Sequence, residues 1–143
     1  SVVYLSGIYS SAKVGALADK LGRRKMLWAT IALMLAGLAL TMATSLMLVI
    51  PGMLVFTFGF FGAHSVASSW IGRRALTAKG QASSLYLFSY YAGSSVAGTA
   101  GGVAWHVGGW NGVGLFIGAL LVVALWVAVK LAKLPVLPGN LAV

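Results

Sequence analysis

Long apolar runs separated by short basic segments dominate this chain. Four of the runs are long enough to cross a membrane, and they occupy residues 26–43, 46–71, 81–105 and 113–131. A helix that crosses the hydrocarbon core of a bilayer needs about 20 apolar residues, because each residue adds ~1.5 Å to its length. The pattern therefore predicts an all-α fold, a polytopic transmembrane helical bundle with four complete helices.

The two ends of the chain differ from these runs. Residues 1–14 are apolar, but only twelve residues precede Lys13, which is too few to cross a bilayer. We interpret this segment as a truncated helix, so that the chain is expected to be the second part of a longer protein. At the other end, residues 135–143 contain Pro135 and Pro138 and show no periodic pattern, which predicts an irregular tail.

Composition supports the membrane interpretation. Hydrophobic residues make up 60% of the 143 residues and charged residues only 8%, against about 25% in an ordinary soluble domain. So few charges exclude a soluble globular enzyme. The absence of cysteine excludes a disulfide scaffold and a Cys-ligated metal site. The sequence shows no metal-ligand cluster, carboxylate pair or phosphate loop, so we predict no catalytic residue, metal or cofactor.

The charges follow the same pattern as the runs. Ten Lys or Arg residues oppose a single acid, Asp19, and the cations are confined to three segments: 13–25, 72–80 and 130–133. The connections near 44–50 and 106–112 contain no Lys or Arg. This alternation follows the positive-inside rule and predicts that the basic segments and the C-terminus face the cytoplasm. It argues against nucleic acid, which requires a continuous basic face.

Two of the predicted helices carry polar side chains along one face. The stripe on the run 46–71 consists of Thr57, His64 and Ser68, and the stripe on the run 81–105 consists of Ser83, Tyr86, Tyr90 and Ser94. A polar stripe within a membrane must face protein or a water-filled cavity. We expect these residues to line a cavity, with hydrogen bonding between helices as the alternative for Ser, Thr and Tyr.

His64 is a functional candidate because it is an ionisable group well inside a span. The alternative is a neutral histidine that is satisfied by a nearby serine, Ser65 or Ser68. The runs 26–43 and 113–131 contain few polar groups and are expected to face lipid, with their threonine hydroxyls bonded to the preceding backbone turn.

Small residues at a spacing of four favour close approach of helices. Three such pairs occur within the runs: Gly59 with Ala63, Gly98 with Gly102, and Gly114 with Gly118. We interpret them as helix contacts and not as phosphate-binding loops.

The segment Gly15-Ala16-Leu17-Ala18-Asp19-Lys20-Leu21-Gly22-Arg23-Arg24 places the only acid of the chain within a group of cations. It resembles the G-x-L-a-D-r-x-G-r-r motif of the major facilitator superfamily, which recurs in the loops between helices 2–3 and 8–9. The residues that match are Gly15, Leu17, Asp19, Gly22, Arg23 and Arg24, with Lys20 replacing the usual arginine. Segments 63–72, 80–86 and 90–95 are similar to the bacterial efflux branch, in particular to YnfM-like inner-membrane transporters.

The resemblance implies the C-terminal half of a 12-helix fold over residues 1–134, with helix 8 truncated at 1–14 and the four runs as helices 9 to 12. In that fold helices 7, 8, 10 and 11 line the central cavity and helices 9 and 12 are peripheral. The resemblance also implies a cytoplasmic gate in which the motif meets the end of helix 10, and we expect Asp19 to pair there with Arg73 or Arg74.

The function expected from this resemblance is proton-coupled export of small organic molecules from the cell by alternating access. The expected partners are the lipid bilayer of the inner membrane, an N-terminal transporter half, a small organic solute and protons. Asp19 lies outside the predicted spans, so a proton-carrying carboxylate would belong to the other half. The alternative is a membrane fragment or helix-packing subunit that does not transport.

Overall fold

The computed structural model describes residues 2–75 and 77–133, so the predicted tail at 135–143 lies outside the described residues. Within those ranges the chain is helical and has no strand. Its four helices are α1 (Val2–Leu21), α2 (Arg23–Thr41), α3 (Leu46–Arg74) and α4 (Lys79–Ala132). Three of them, α2, α3 and α4, are long and apolar enough to cross a membrane. The prediction of an all-α polytopic bundle is confirmed.

The helices at the basic end of the bundle extend beyond the apolar runs. α1 continues through most of the basic segment as far as Leu21, and α2 begins two residues later at Arg23. Gly22 separates them with φ 93° and ψ 131°, a conformation that side-chain-bearing residues rarely adopt. The connection expected at 13–25 therefore consists of one glycine. The charged residues on either side of it are helical, because a helix satisfies its own backbone amides even after it has left the hydrocarbon region.

α4 is a helical hairpin with its turn at Gly109, where φ is 56° and ψ is −143°. We call residues 79–108 the N-terminal arm and residues 110–132 the C-terminal arm. Trp110 donates from Nε1 to the carbonyl oxygen of Thr41 at 2.9 Å, at the end of α2. Arg24 donates to the carbonyl oxygen of Ala132 at 3.4 Å, at the beginning of α2. The C-terminal arm therefore runs antiparallel to α2.

The backbones of α2 and α3 approach each other directly, because glycines occupy their interface. A Cβ added at Gly37 would lie 2.5 Å from the backbone nitrogen of Phe56, and one at Gly52 would lie 2.9 Å from the carbonyl oxygen of Gly37. A Cβ at Gly59 would lie 2.8 Å from the carbonyl oxygen of Thr30. The buried hydrophobic core continues from this interface: Val14, Ala18, Leu27, Ile31, Met34, Leu38, Val66, Leu121 and Ala128.

The predicted glycine contacts are found for two of the three pairs. Gly59 faces α2, and Gly114 and Gly118 of the C-terminal arm face side chains at the end of α2. Gly98 and Gly102, in the N-terminal arm, have no atom of the described residues within 4 Å of an added Cβ. The spacing of glycines therefore does not distinguish a covered helix face from an open one.

The two threonines of α2 bond to their own helix, which confirms that prediction. Thr30 Oγ1 donates to the carbonyl oxygen of Met26 at 2.8 Å, and Thr41 Oγ1 donates to that of Leu38 at 2.7 Å. Trp28 lies on an exposed side of α2, and contact with lipid stays a prediction for that side alone. The opposite side is buried against α3.

Candidate functional site

At the basic end, four side chains join the ends of α1, α2 and α3, and we call them the gate cluster: Asp19, Arg23, Ser69 and Arg73. Asp19 Oδ1 forms an ion pair with Arg23 Nη2 and a second with Arg73 Nη2 at 3.5 Å. The side chains of Asp19 and Arg73 are about half exposed, whereas that of Arg23 is buried. Of the two arginines that the sequence analysis proposed as partners, Arg73 therefore makes the contact.

Arg23 is the buried centre of the gate cluster. Its Nε donates to Ser69 Oγ at 3.3 Å, and Ser69 Oγ donates to the carbonyl oxygen of Val66 at 3.0 Å. A buried guanidinium is stable only if its charge and its donors are paired, and here α1 and α3 supply the partners. The break at Gly22 allows α2 to begin one turn after Asp19, which places the two side chains on neighbouring turns.

The rest of the predicted gate motif lies around this cluster. Arg74 points away from Asp19, with its guanidinium carbon 6.0 Å from the centre of the Trp70 ring. Within the part of the chain that the structure describes, four other residues of the motif make no side-chain bond to the gate cluster: Gly15, Leu17, Lys20 and Arg24. Leu17 and Lys20 are exposed. Of the two arginines at the end of α3, the sequence did not indicate which would pair with Asp19.

Four rings from α3 and the N-terminal arm of α4 form a second group, which we call the His64 cluster: Phe60, His64, Tyr86 and Tyr90. His64 Nδ1 lies 2.8 Å from Tyr86 Oη. The His64 ring lies 4.8 Å from that of Tyr90 and stacks on that of Phe60 at 6.4 Å with an interplanar angle of 12°. The two predicted polar stripes therefore meet at His64.

The His64 cluster contains a hydrogen bond between two spans. The Tyr86 hydroxyl donates to Nδ1 when the neutral imidazole carries its proton on Nε2. The alternative in which Ser65 or Ser68 satisfies His64 is not what the structure shows, because Ser65 Oγ donates to the carbonyl oxygen of Ser11 at 3.3 Å and Ser68 Oγ to that of Ser65 at 3.1 Å. The described part of the chain has no group of three or more His, Cys, Asp or Glu residues that could hold a metal ion.

The remaining predicted cavity residues lie outside this cluster. Thr57 lines a separate cavity of about 140 Å³ near Thr41 and Trp110, because α3 meets the C-terminal arm there. Ser83 and Ser94 are exposed, and Ser94 Oγ donates within its own helix to the carbonyl oxygen of Tyr91 at 3.0 Å.

Sequence reasoning missed Phe60 and Ser69. Phe60 has no polar atom, so it carries no signal in an apolar run, although it lies one turn before His64. Ser69 is next to the stripe residue Ser68 but on another face of α3, and only the position of Arg23 gives it a role. In both cases the missing information was the packing partner on another helix.

Relatives were found for almost the whole chain. It is 50% identical over 139 residues, 97% of its length, to the MFS-type transporter YybF of Bacillus subtilis. It is 58% identical over 133 residues to the inner membrane transport protein YnfM of Escherichia coli, and 45% identical over 133 residues to a transporter of Buchnera aphidicola. The chain spans about a third of the length of these curated relatives: 34%, 32% and 32%. No family model and no solved structure matches.

These relatives confirm the resemblance to the major facilitator superfamily that the motif at 15–24 indicates. YybF is named as a member of that superfamily, and all three relatives are named as transporters. The expectation that the chain is not an enzyme agrees with those names. The name of YnfM places that protein in the inner membrane.

Proposed function

We propose that this chain belongs to the C-terminal half of a proton-coupled secondary transporter, which exports small organic molecules across the inner membrane by alternating access. The observation that carries the proposal is the hydrogen bond between His64 and Tyr86. An ionisable group that is bonded between two membrane spans is costly to bury and typically marks a substrate or ion pathway. Transporters of this kind bind solute near the bilayer midplane, between two repeats that move against each other.

The chemistry of the His64 cluster favours an amphipathic organic solute. Phe60, Tyr86 and Tyr90 offer aromatic faces, and the two tyrosines add hydroxyl groups at the ring ends. A sugar would require more amide and carboxylate partners. The only acid of the chain is Asp19, and it lies at the basic end, so the spans of this chain supply no carboxylate.

The absence of an acid from the spans also limits the proton pathway. The proton is carried either by His64 or by a carboxylate in the part of the transporter that lies outside this chain. Both options require the complete transporter, with protons, organic solute, lipid bilayer and N-terminal half as its partners.

We propose that the gate cluster closes the cytoplasmic side of this pathway. Its ion pair between Asp19 and Arg73 links α1 to the end of α3. A contact that is present in one conformation and broken in the other shifts the populations of the two conformations. The cluster would therefore stabilise one end of the transport cycle without contacting the solute.

The solute site is tested by Tyr90→Ala in the full-length transporter, with Trp126→Ala as the matched control. Tyr90 contacts His64, whereas Trp126 is an exposed ring of the C-terminal arm beneath Lys130. We expect Tyr90→Ala to reduce proton-driven export from vesicles about tenfold at unchanged protein level, and Trp126→Ala to leave export unchanged. Equal losses at the two positions would mean that both side chains only pack helices, as in a subunit that does not transport.

The orientation is tested with single cysteines, which are easy to place in a chain that has none. We expect a membrane-impermeant thiol reagent to label Ser45→Cys in intact cells and Thr77→Cys only after permeabilisation. These positions lie in connections at opposite ends of α3. Labelling of Thr77→Cys from outside intact cells would contradict a cytoplasmic gate.

A further inference from the structure

A cavity of about 330 Å³ lies at the basic end of the bundle, where the end of α3 meets both ends of α4. Its walls are mainly apolar, and the residues that line it are Trp70, Ile71, Arg74, Ala75, Ala82 and Leu131. Its volume falls within the ~300–1,000 Å³ that is typical of small-molecule sites. It includes no residue of the gate cluster or of the His64 cluster, so the proposed transport pathway does not account for it.

Arg74 is the charged residue in the wall of this cavity. Its guanidinium lies over the Trp70 ring, a position that holds the group against the wall while its N–H donors stay available. Asp19 is the only acid of the chain and pairs with Arg23 and Arg73. Among the side chains of residues 2–75 and 77–133, no carboxylate therefore neutralises Arg74. A cation beside apolar walls is suited to an anion that carries a hydrocarbon chain.

Two other cations are close to the lining residues along the chain, although neither lines the cavity. Lys79 lies one turn before Ala82. Lys130 directly precedes Leu131, and its ammonium group lies 4.0 Å from the centre of the Trp126 ring. The net charge of the chain is +9, and it is concentrated in segments that flank the spans. Basic groups between membrane helices at the cytoplasmic side are typical of sites for acidic lipid headgroups. The local potential therefore favours an anion over a neutral or cationic ligand.

We propose that this cavity binds one acidic phospholipid of the surrounding bilayer, with its phosphate on Arg74 and an acyl chain against Ile71, Ala82 and Leu131. Inorganic phosphate would leave the apolar walls unused. A zwitterionic lipid such as phosphatidylcholine would bring a quaternary ammonium group next to its phosphate, and the repulsion between that cation and the basic groups would offset part of the attraction to Arg74. The lipid would join the end of α3 to both arms of α4. The proposal concerns a chain embedded in a membrane and does not depend on the proposed transport function.

The experiment uses the full-length transporter in nanodiscs of phosphatidylcholine with a minor fraction of phosphatidylglycerol. Native mass spectrometry after release into detergent counts the lipids that each chain retains. We expect the wild type to retain one phosphatidylglycerol in preference to phosphatidylcholine. Arg74→Gln should reduce this retention about tenfold, because it removes a charge-assisted hydrogen bond.

Two further variants separate the site from general charge and from misfolding. Lys13→Gln is the matched control, because Lys13 is an exposed cation 5.7 Å from the centre of the Tyr9 ring but does not line the cavity. It should retain the lipid as the wild type does. Ala82→Leu fills the cavity while Arg74 stays in place, and it should also reduce retention. Circular dichroism shows whether each variant keeps its helix content.

Several outcomes would overturn the proposal. Unchanged retention in Arg74→Gln, or an equal loss in Lys13→Gln, would mean that the lipid is held by the overall positive charge. Displacement of the lipid by inorganic phosphate would mean that the site recognises the headgroup alone. Increased retention after truncation at Lys133 would mean that the segment 134–143, and not a lipid, occupies the cavity.

Discussion

Glycines at helical spacing occur in opposite surroundings in two parts of the molecule, the interface of α2 with α3 and the N-terminal arm of α4. At Gly37 and Gly52 an added Cβ would come within 2.9 Å of the facing backbone. At Gly93, Gly98 and Gly102 nothing in the described residues lies within 4 Å. In the first region glycine lets two backbones touch, whereas in the second it leaves an open helix face.

The polar side chains of the two regions also differ in whether they bond to another helix or to their own. Around α2, the buried Arg23 bonds to Asp19 and Ser69 on other helices. On the N-terminal arm of α4, the exposed Ser94 and Thr99 bond only to carbonyl groups of their own helix. Within the described residues, only Tyr86 of this arm makes a side-chain hydrogen bond to another helix, through His64. The arm is therefore expected to move more easily than α1, α2 and α3, which form a unit that is expected to move together.

The largest effect is expected from Gly37→Ala. Its methyl group would lie 2.5 Å from the backbone nitrogen of Phe56, and backbone atoms cannot move aside without separating α2 from α3. We expect a loss of about 2 kcal/mol in the free energy of unfolding, as for other overpacked cores. Thermal unfolding of the purified chain in detergent, followed by circular dichroism, measures it.

Gly98→Ala is the matched control for this prediction. Its methyl group meets open space, so its unfolding temperature should equal or slightly exceed that of the wild type, because alanine is the better helix former. Similar losses for the two variants would show that the two glycine regions do not differ.

An intermediate effect is expected from Asp19→Asn in the full-length transporter. The substitution removes the charge that pairs with both Arg73 and the buried Arg23. The amide oxygen of Asn can still accept a hydrogen bond from Arg23, whereas the exposed ion pair with Arg73 is lost, and exposed pairs of this kind contribute up to about 1 kcal/mol. That free energy corresponds to a roughly fivefold change in the ratio of the two conformations. Distances between spin labels on the two halves measure the ratio.

Lys20→Gln serves as the control for Asp19→Asn. Lys20 is an exposed cation of the same motif and forms no ion pair within the residues that the structure describes. It should leave the distance distribution unchanged. If Asp19→Asn also leaves it unchanged, the gate cluster does not bias the transport cycle.

The smallest effect is expected from Ser94→Ala. The hydroxyl bonds only to the carbonyl oxygen of Tyr91 in its own helix, so the free energy of unfolding should change by less than about 0.5 kcal/mol. Export should change by about twofold if Ser94 faces the solute. A loss of stability as large as that of Gly37→Ala would show that the N-terminal arm is as tightly packed as α2.

The sequence predicted the positions of the helices more accurately than the residues at which they end. The apolar runs identified the spans, because burial in hydrocarbon imposes a length on each of them. They did not show that α1 reaches Leu21 or that one residue, Gly109, makes the turn expected at 106–112. A helix that has left the membrane can contain charges, so its end is determined by glycine geometry and not by hydropathy.

The candidate sites show what a linear pattern can predict. The spacing of Tyr86 and Tyr90 placed both rings on one face, and the structure brings them to His64. The same spacing rule grouped Thr57 with His64, although another part of the hairpin covers Thr57. Periodicity identifies the face of a helix, but only tertiary packing determines which neighbour lies against each turn of that face.

The turn at Gly109 has a consequence for how many times the chain crosses the bilayer. As one straight rod, the 54 residues of α4 would be roughly 80 Å long, far more than the ~30 Å thickness of the hydrocarbon. Because Gly109 lacks a Cβ, it can adopt φ 56° and divide this length into two passes. The hairpin makes the number of passes in α4 even and returns Lys133 to the side of Lys79. Because the side chain of Gly109 is a single hydrogen atom, α4 can turn back at this residue and end on the side of the membrane where it begins.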